Sequence, residues 1–301
     1  MKKTLFFLCP IIFIALGIAL AALNLPVKAY ALYCVEDKAV LTAENADEPI
    51  APASLAKLLT ACTALNYSDP DDIFTVGSEQ KLVPAHSSLC LILEGHVLKL
   101  RDLLTGMLLA SGNDAAYTVA VSTARELTEA PMSDSEGVKY FTELMNKLAR
   151  EIGMYNSNFT TPDGSDSPGQ YTTVSDLIKL SEYAMTFPIL REIMAEHEKY
   201  VVFQSGEHIT WTNSNKLLDP NSGYYCENAV GMKTGTTLKA GNCLIAAFEK
   251  NGKIYISAVV GCLTDSRRYG FTLKLFSDNV DPVLETVPIG IGARLFGIFC
   301  R

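Results

Sequence analysis

The sequence predicts a mixed α/β (α+β) fold in which both chain ends supply one antiparallel sheet flanked by helices, with a helical subdomain drawn from the middle. Three observations predict it. Short apolar, β-leaning runs occupy residues 30–41 near the start and 242–261 near the end. Apolar residues in the stretch between them recur at helical spacing. Asn251-Gly252 joins the last two runs, and that dipeptide is a strong two-residue hairpin signal.

In chain order, Lys2 and Lys3 precede an almost uncharged stretch over residues 5–25. Residues 1–29 read as a signal peptide or N-terminal membrane anchor, which places the remainder outside the cytoplasm. The length suits a span, and Ala29-Tyr30-Ala31 resembles a cleavage site. Over residues 30–41 two apolar runs flank Glu36-Asp37-Lys38, a strand–turn–strand signal. A helix is expected from about Ser54 to Leu65, where Leu55, Leu58, Leu59, Cys62 and Leu65 share a face and Pro52 suits the entry. Residues 73–100 suggest a short hairpin with turns at Pro84 and Gly95. Residues 100–120 are helical but broken at Ser111-Gly112-Asn113-Asp114, 140–153 form an amphipathic helix, 160–170 a loop, and 174–185 a helix. Residues 242–249 and 253–261 are strands, and 267–276 is a closing helix. The organisation expected is a domain over 30–280, a helical subdomain over about 66–210, and a short tail over 281–301.

Composition narrows the function classes. At 49% hydrophobic residues and a net charge of −8, the chain can bury a core and has no dense Lys/Arg run, so nucleic acid is not an expected partner. The four histidines are not spaced as metal ligands, and the eight cysteines contain no Cys-x-x-Cys. No cofactor or metal is expected, and the thiols are expected mostly free.

Three polar clusters carry the chemistry. In Ser54-Leu55-Ala56-Lys57 a hydroxyl sits one helical turn from an amine, and Lys57 is the sole charge between Pro49 and Asp69. A desolvated, partly neutral lysine can take a serine proton, which makes a nucleophile without a histidine. The pattern is short and occurs again at Ser78-Glu79-Gln80-Lys81, where the setting is polar. Ser111-Gly112-Asn113 offers a hydroxyl for proton relay and a carboxamide for a peptide group, although taken alone an ordinary helix–helix turn explains it better. Lys233-Thr234-Gly235-Thr236 puts a cation, two hydroxyls and a glycine on an expected edge strand, a place to hold a carboxylate or add a substrate strand, or simply a turn into the hairpin.

Ser-x-x-Lys, Ser-x-Asn and Lys-Thr-Gly in this order resemble the signature set of penicillin-binding serine enzymes and serine β-lactamases. With residues 46–60, 109–115, 153–171, 213–216 and 231–241, the chain resembles the low-molecular-weight penicillin-binding proteins that are serine-type D-alanyl-D-alanine carboxypeptidases. The resemblance covers about residues 30–280. It implies the penicillin-binding/serine β-lactamase-like fold. Ser54 would be acylated by a peptidoglycan stem peptide ending in D-Ala-D-Ala, with Lys57 as base and Ser111 relaying protons. Asn113, Lys233, Thr234, Gly235, Thr236 and Arg268 would bind substrate, with backbone N–H groups of Ser54 and Thr236 as oxyanion hole. β-lactam antibiotics would acylate the same serine, and the N-terminal segment would meet the membrane. The chain carries Asp163 where several relatives carry a histidine, a change that bears on deacylation. A D,D-endopeptidase shares every motif, a serine β-lactamase shares most, and an inactive cell-wall-binding module is the non-enzymatic alternative.

Overall fold

Residues 27–128 and 131–280 are described by the structure, a computed structural model. The described residues begin with β1 (Ala29–Cys34) and β2 (Ala39–Glu44) and end with β7 (Ala229–Thr237), β8 (Gly241–Lys250), β9 (Lys253–Cys262) and a helix over Asp265–Val280. These five strands make one sheet in the order β2-β1-β9-β8-β7, antiparallel throughout. The two chain ends therefore meet at the β1–β9 pair, as the sequence predicts. Lys250 pairs with Lys253, and Asn251 and Gly252 between them both have positive φ (53° and 73°). That is the backbone a tight, twist-matched hairpin needs.

The sheet is covered on both faces, and the strands' period of two sorts the residues. Cys243, Ile245, Ala247, Ile256 and Ala258 face a core shared with the helical middle. Leu244, Ala246 and Phe248 face the closing helix, where the Phe248 and Phe276 rings stack at 4.2 Å.

Numbered in chain order among the described residues, the helices are α1 (Ala56–Leu65), α2 (Leu100–Leu109), α3 (Asn113–Glu126), α4 (Asp134–Glu151), α5 (Val174–Ala184), α6 (Pro188–Ala195) and α7 (Asp265–Val280). Helix α1 runs through the core and is buried from Ala56 to Ala64 on every side, which is why its apolar character is so continuous. Helix α4 starts earlier than the apolar pattern suggests, because Ser133 and Glu136 form a reciprocal capping box that begins the helix in a polar stretch. The sequence reading passed over α6, which Pro188 opens, and the small hairpin of β5 (Glu198–Val202) and β6 (His208–Thr212). The expected short hairpin within 73–100 is instead a pairing of β3 (Ile73–Thr75) with β4 (Val97–Lys99) across a long excursion.

Five described cysteines, Cys34, Cys62, Cys90, Cys243 and Cys262, are free and buried. Among the described residues no helix is long and apolar enough to cross a membrane. The expected signal or anchor over 1–29 lies almost wholly outside the described residues, as does the tail over 281–301.

Candidate active site

Ser54 lies on a 3₁₀ turn (Ala53–Leu55) leading into α1, rather than within the α-helix itself. It is the one residue between Pro52 and Ala64 that is not buried. A hydroxyl is thus presented to solvent from a turn whose neighbours are fixed in the core. Lys57, fully buried one turn on, donates from Nζ to Ser54 Oγ (2.9 Å), Asn113 Oδ1 (2.7 Å) and the Asp163 backbone oxygen (3.0 Å).

That triad of neighbours constrains the amine. Two of the three are carbonyl oxygens and can only accept. A neutral Lys57 has two N–H bonds, which those carbonyls take up, and its lone pair is left facing Ser54 Oγ. Burial drives the Lys57 pKa down to about 8, against the opposing pull of Asp163, Asp114 and Cys90. Both the geometry and the electrostatics therefore suit proton abstraction from Ser54 near neutral pH.

The second cluster lies in the break between α2 and α3. Ser111 has φ 59° and Asn113 opens α3, so the carboxamide projects from a helix N-terminus towards Lys57. The break is pinned by Asp114, whose carboxylate accepts the N–H groups of Cys90 (2.9 Å), Ile92 (3.2 Å) and Ala115 (3.0 Å). The Ser111 side chain is nearly buried, and among the described residues its hydroxyl takes no hydrogen-bond partner.

The third cluster occupies β7, an outer strand of the five-stranded sheet, as expected. A Cβ on Gly235 would stand 3.2 Å from the Ser54 nitrogen and 3.0 Å from the Ala53 Cβ, so the glycine is what lets the strand lie against the Ser54 turn. Lys233 is buried and donates to the Thr234 backbone oxygen (3.0 Å), without a hydrogen bond to Ser54 or Ser111. Burial, with the charges of Lys57 and Arg268 adding to it, holds its amine well below the usual lysine range. Thr234 shares a hydrogen bond with Ser214 (2.7 Å), and Thr236 is exposed at the rim. Arg268, on α7, reaches beneath the strand to Gly235 O (3.1 Å), Thr236 Oγ1 (3.1 Å) and Cys243 O (3.2 Å), and pairs with Asp265 (2.5 Å). It clamps the strand and presents the Thr236 hydroxyl.

The structure thus joins Ser54, Lys57 and Asn113 directly and lays Gly235 against them. Lys233 is near enough for its charge to act on Lys57, and neither it nor Ser111 hydrogen-bonds to Ser54 among the described residues. Sequence reading marks Asp163 of the loop over 160–170 only for its bearing on deacylation, not for a contact with Asn113 or Lys57. Asp163 is buried, with its carboxylate accepting from Asn113 Nδ2 (2.5 Å) and from the Ser165 N–H (3.1 Å) and hydroxyl. A Cβ on Gly164 would fall 1.8 Å from the Ala53 oxygen. The signal available was Pro162-Asp163-Gly164 itself: a buried acid is invisible in a loop that reads as polar.

The model of the D-alanyl-D-alanine carboxypeptidase family (peptidase family S11) matches residues 21–264. The chain belongs to this family. It is 32% identical to the D-alanyl-D-alanine carboxypeptidase DacC of Escherichia coli over 259 residues, 81% of this chain and 60% of that protein. With DacF of Bacillus subtilis it shares 26% identity over 83% of this chain and 61% of the relative. The chain therefore spans about 60% of the length of these curated relatives. Among solved structures, the Streptomyces K15 DD-transpeptidase superposes with a TM-score of 0.76 at 25% identity, covering 84% of this chain and 97% of that one. Penicillin-binding protein D2 of Listeria monocytogenes, in its ampicillin-bound form, gives 0.69 at 29% identity, covering 85% and 98%. The D-alanyl-D-alanine carboxypeptidase family and the fold are those that the three polar clusters lead one to expect.

Proposed function

We propose that this member of the family is a serine-type D-Ala-D-Ala carboxypeptidase acting on peptidoglycan stem peptides outside the cytoplasm, and that β-lactams acylate the same residue. The single observation that supports this most is the Lys57 amine, held by two carbonyl acceptors with its third position on Ser54 Oγ. Lys57 takes the Ser54 proton as the oxygen attacks the carbonyl of the penultimate D-alanine. The N–H of Ser54, at the start of a 3₁₀ turn where the first N–H groups lack helical partners, and that of Thr236 across from it receive the developing oxyanion. The leaving D-alanine nitrogen takes up a proton through Lys57 and Ser111; water then attacks the ester, and its proton passes through Lys57 to the released Ser54 Oγ, leaving the amine neutral again.

The substrate lies along β7. Its terminal carboxylate meets Thr234 and Thr236, which Ser214 and Arg268 hold in place. Lys233, a buried cation when protonated, adds positive potential to that end of the cleft. The domain over 30–280 does this chemistry, and the segment over 1–29 directs export or tethers it to the membrane.

The test is a purified stem pentapeptide beside a cross-linked pair of stem peptides. Release of one D-alanine, lost in Ser54→Ala together with labelling by a fluorescent penicillin, is the expected outcome. Opened cross-links without release of D-alanine would point to a D,D-endopeptidase, fast penicillin turnover without peptide cleavage to a β-lactamase, and no covalent label at all to a binding module.

A further inference from the structure

We propose that Asp163 is a positioning residue: its carboxylate fixes which way the Asn113 carboxamide faces, and so keeps Lys57 aimed at Ser54. The inference rests on the reading of Ser54 and Lys57 given above. It starts from an unbroken chain of hydrogen bonds. Asp163 Oδ2 accepts from Asn113 Nδ2 (2.5 Å), Asn113 Oδ1 accepts from Lys57 Nζ (2.7 Å), and Lys57 Nζ meets Ser54 Oγ (2.9 Å).

A carboxamide has one accepting end and one donating end, and rotating it by half a turn exchanges them. Facing a carboxylate, only the NH2 end is tolerated, since the oxygen would be set against another oxygen. The C=O end must then face Lys57. With the amide reversed, two donors would confront each other at Lys57, and its lone pair would be drawn away from Ser54 to accept from Asn113. Asp163 removes that alternative. It is itself held: the Ser165 N–H (3.1 Å) and hydroxyl fix the carboxylate, and its own backbone oxygen takes the third Lys57 contact (3.0 Å). No Lys or Arg forms an ion pair with the carboxylate among the described residues, so its negative charge is felt at the buried amine. One residue thus orients the base twice, through its backbone oxygen and through Asn113.

The charge gives the device a readout that packing alone would not move. Lys57 is faced by Asp163 from the loop, Asp114 from α3, Cys90 from the segment before α2, and Lys233 from β7. Tyr117 of α3 also feels Asp163, but burial raises its pKa beyond the working range. Among the acids, Asp163 exerts the strongest pull on Lys57. Removing its charge lets Lys57 lose its proton at lower pH.

The experiment uses the full chain and follows the second-order rate of labelling by a fluorescent penicillin from pH 5 to 10, for wild type, Asp163→Asn and Asp163→Leu, with thermal melting of each. In both variants the acid limb is expected to move down by about one pH unit. The high-pH plateau is expected to fall about tenfold in Asp163→Leu and less in Asp163→Asn, whose side-chain oxygen can still accept from Asn113. An unmoved limb, or a leucine plateau equal to wild type, overturns the proposal. If neither variant melts cooperatively, Ser165→Ala decides. It leaves the charge and removes a donor that partly neutralises it, so the limb should move up, and an unmoved limb again overturns the proposal. Failure of wild type to label, or labelling of Ser54→Ala, would instead overturn the reading of the site on which this one rests.

Discussion

Ser54 and Ser78 make a natural comparison. Each lies on a 3₁₀ turn, Ala53–Leu55 or Ser78–Leu82, and each has a lysine three residues on. Lys57 is fully buried and ringed by Ser54, Asn113 and the Asp163 carbonyl, whereas Lys81 is exposed. Ser78 gives its hydroxyl hydrogen to Asp134 (2.6 Å), which also pairs with Arg125 (2.6 Å). One hydroxyl faces a buried amine and the other is a fastener between a turn and α4. Local conformation and spacing are shared, so neither distinguishes the two serines. The difference lies in what desolvates the amine and what accepts its protons.

The largest expected effect tests that contrast directly. Ser54→Ala should abolish covalent labelling and lower D-alanine release by more than about 10³-fold, because the group that forms the ester is gone. Ser78→Ala should leave both unchanged and cost about 1 kcal/mol in denaturant unfolding, the worth of one partly buried hydrogen bond. Loss of labelling in Ser78→Ala at unchanged stability would erase the distinction.

Lys57→Met sharpens it from the other partner. Activity should fall about 10²–10⁴-fold, the usual worth of a positioned base. Stability should rise. The fold lowers the Lys57 pKa from 10.5 to about 8, so a native chain at pH 7 carries a buried ammonium that the unfolded chain keeps in water. The penalty is full below pH 8 and fades between 8 and 10.5, where the native amine is already neutral. An apolar side chain of similar length avoids it, for a gain of up to about 3 kcal/mol at pH 7, offset in part by the lost hydrogen bonds. Lys81→Met should change neither quantity measurably. A Lys57→Met protein less stable than wild type at pH 7 would mean that the ammonium is better solvated than its burial implies.

The same lowered pKa fixes a pH dependence. Acylation by penicillin needs the neutral amine, so its rate should level off above pH 8 and fall tenfold per unit below, to about a hundredfold less at pH 6. A flat profile from 6 to 9 would leave Lys57 with no role as base.

Much of this was legible in the sequence, for a physical reason. The sheet shows itself because its residues alternate between two cores and Asn251-Gly252 can hardly be anything but a hairpin. Lys57 shows itself because a lone charge in an apolar helix must be explained. The bond from Asn113 to Asp163 does not: the resemblance marks Asp163 for its bearing on deacylation, but nothing in a polar loop says that folding buries it against that carboxamide. Helix α6 escaped because eight residues opened by a proline hold too few turns for a period to emerge. The left-handed backbones of Ala53 (φ 49°), Ser111 (φ 59°) and Met232 (φ 92°), one in or beside each polar cluster, escape as well. None has the glycine or asparagine that normally announces such a turn, and each costs on the order of 1–3 kcal/mol that the surrounding core must hold in place.

The smallest expected effect concerns how that strained turn is supported. Gly164 has φ 82°, and a Cβ there would stand 1.8 Å from the Ala53 oxygen and 2.5 Å from its carbonyl carbon. Both are backbone atoms, so no side chain can swing aside, and loop and turn must part. Parting them draws the Asp163 oxygen and Ser54 Oγ away from Lys57 together, since one is in the loop and the other in the turn. Gly164→Ala should therefore slow acylation about tenfold, a modest misplacement of aligned groups, and lower stability by about 2–3 kcal/mol. Gly252→Ala is the matched control: φ is 73°, nothing lies within 4 Å, and the site is far along the sheet. It should cost about 1 kcal/mol in backbone strain and leave acylation within about twofold. If both alanines slow acylation equally, the loss follows general stability. If only Gly164→Ala does, the contact between the loop and the Ala53 turn is what holds the nucleophile and its base in register.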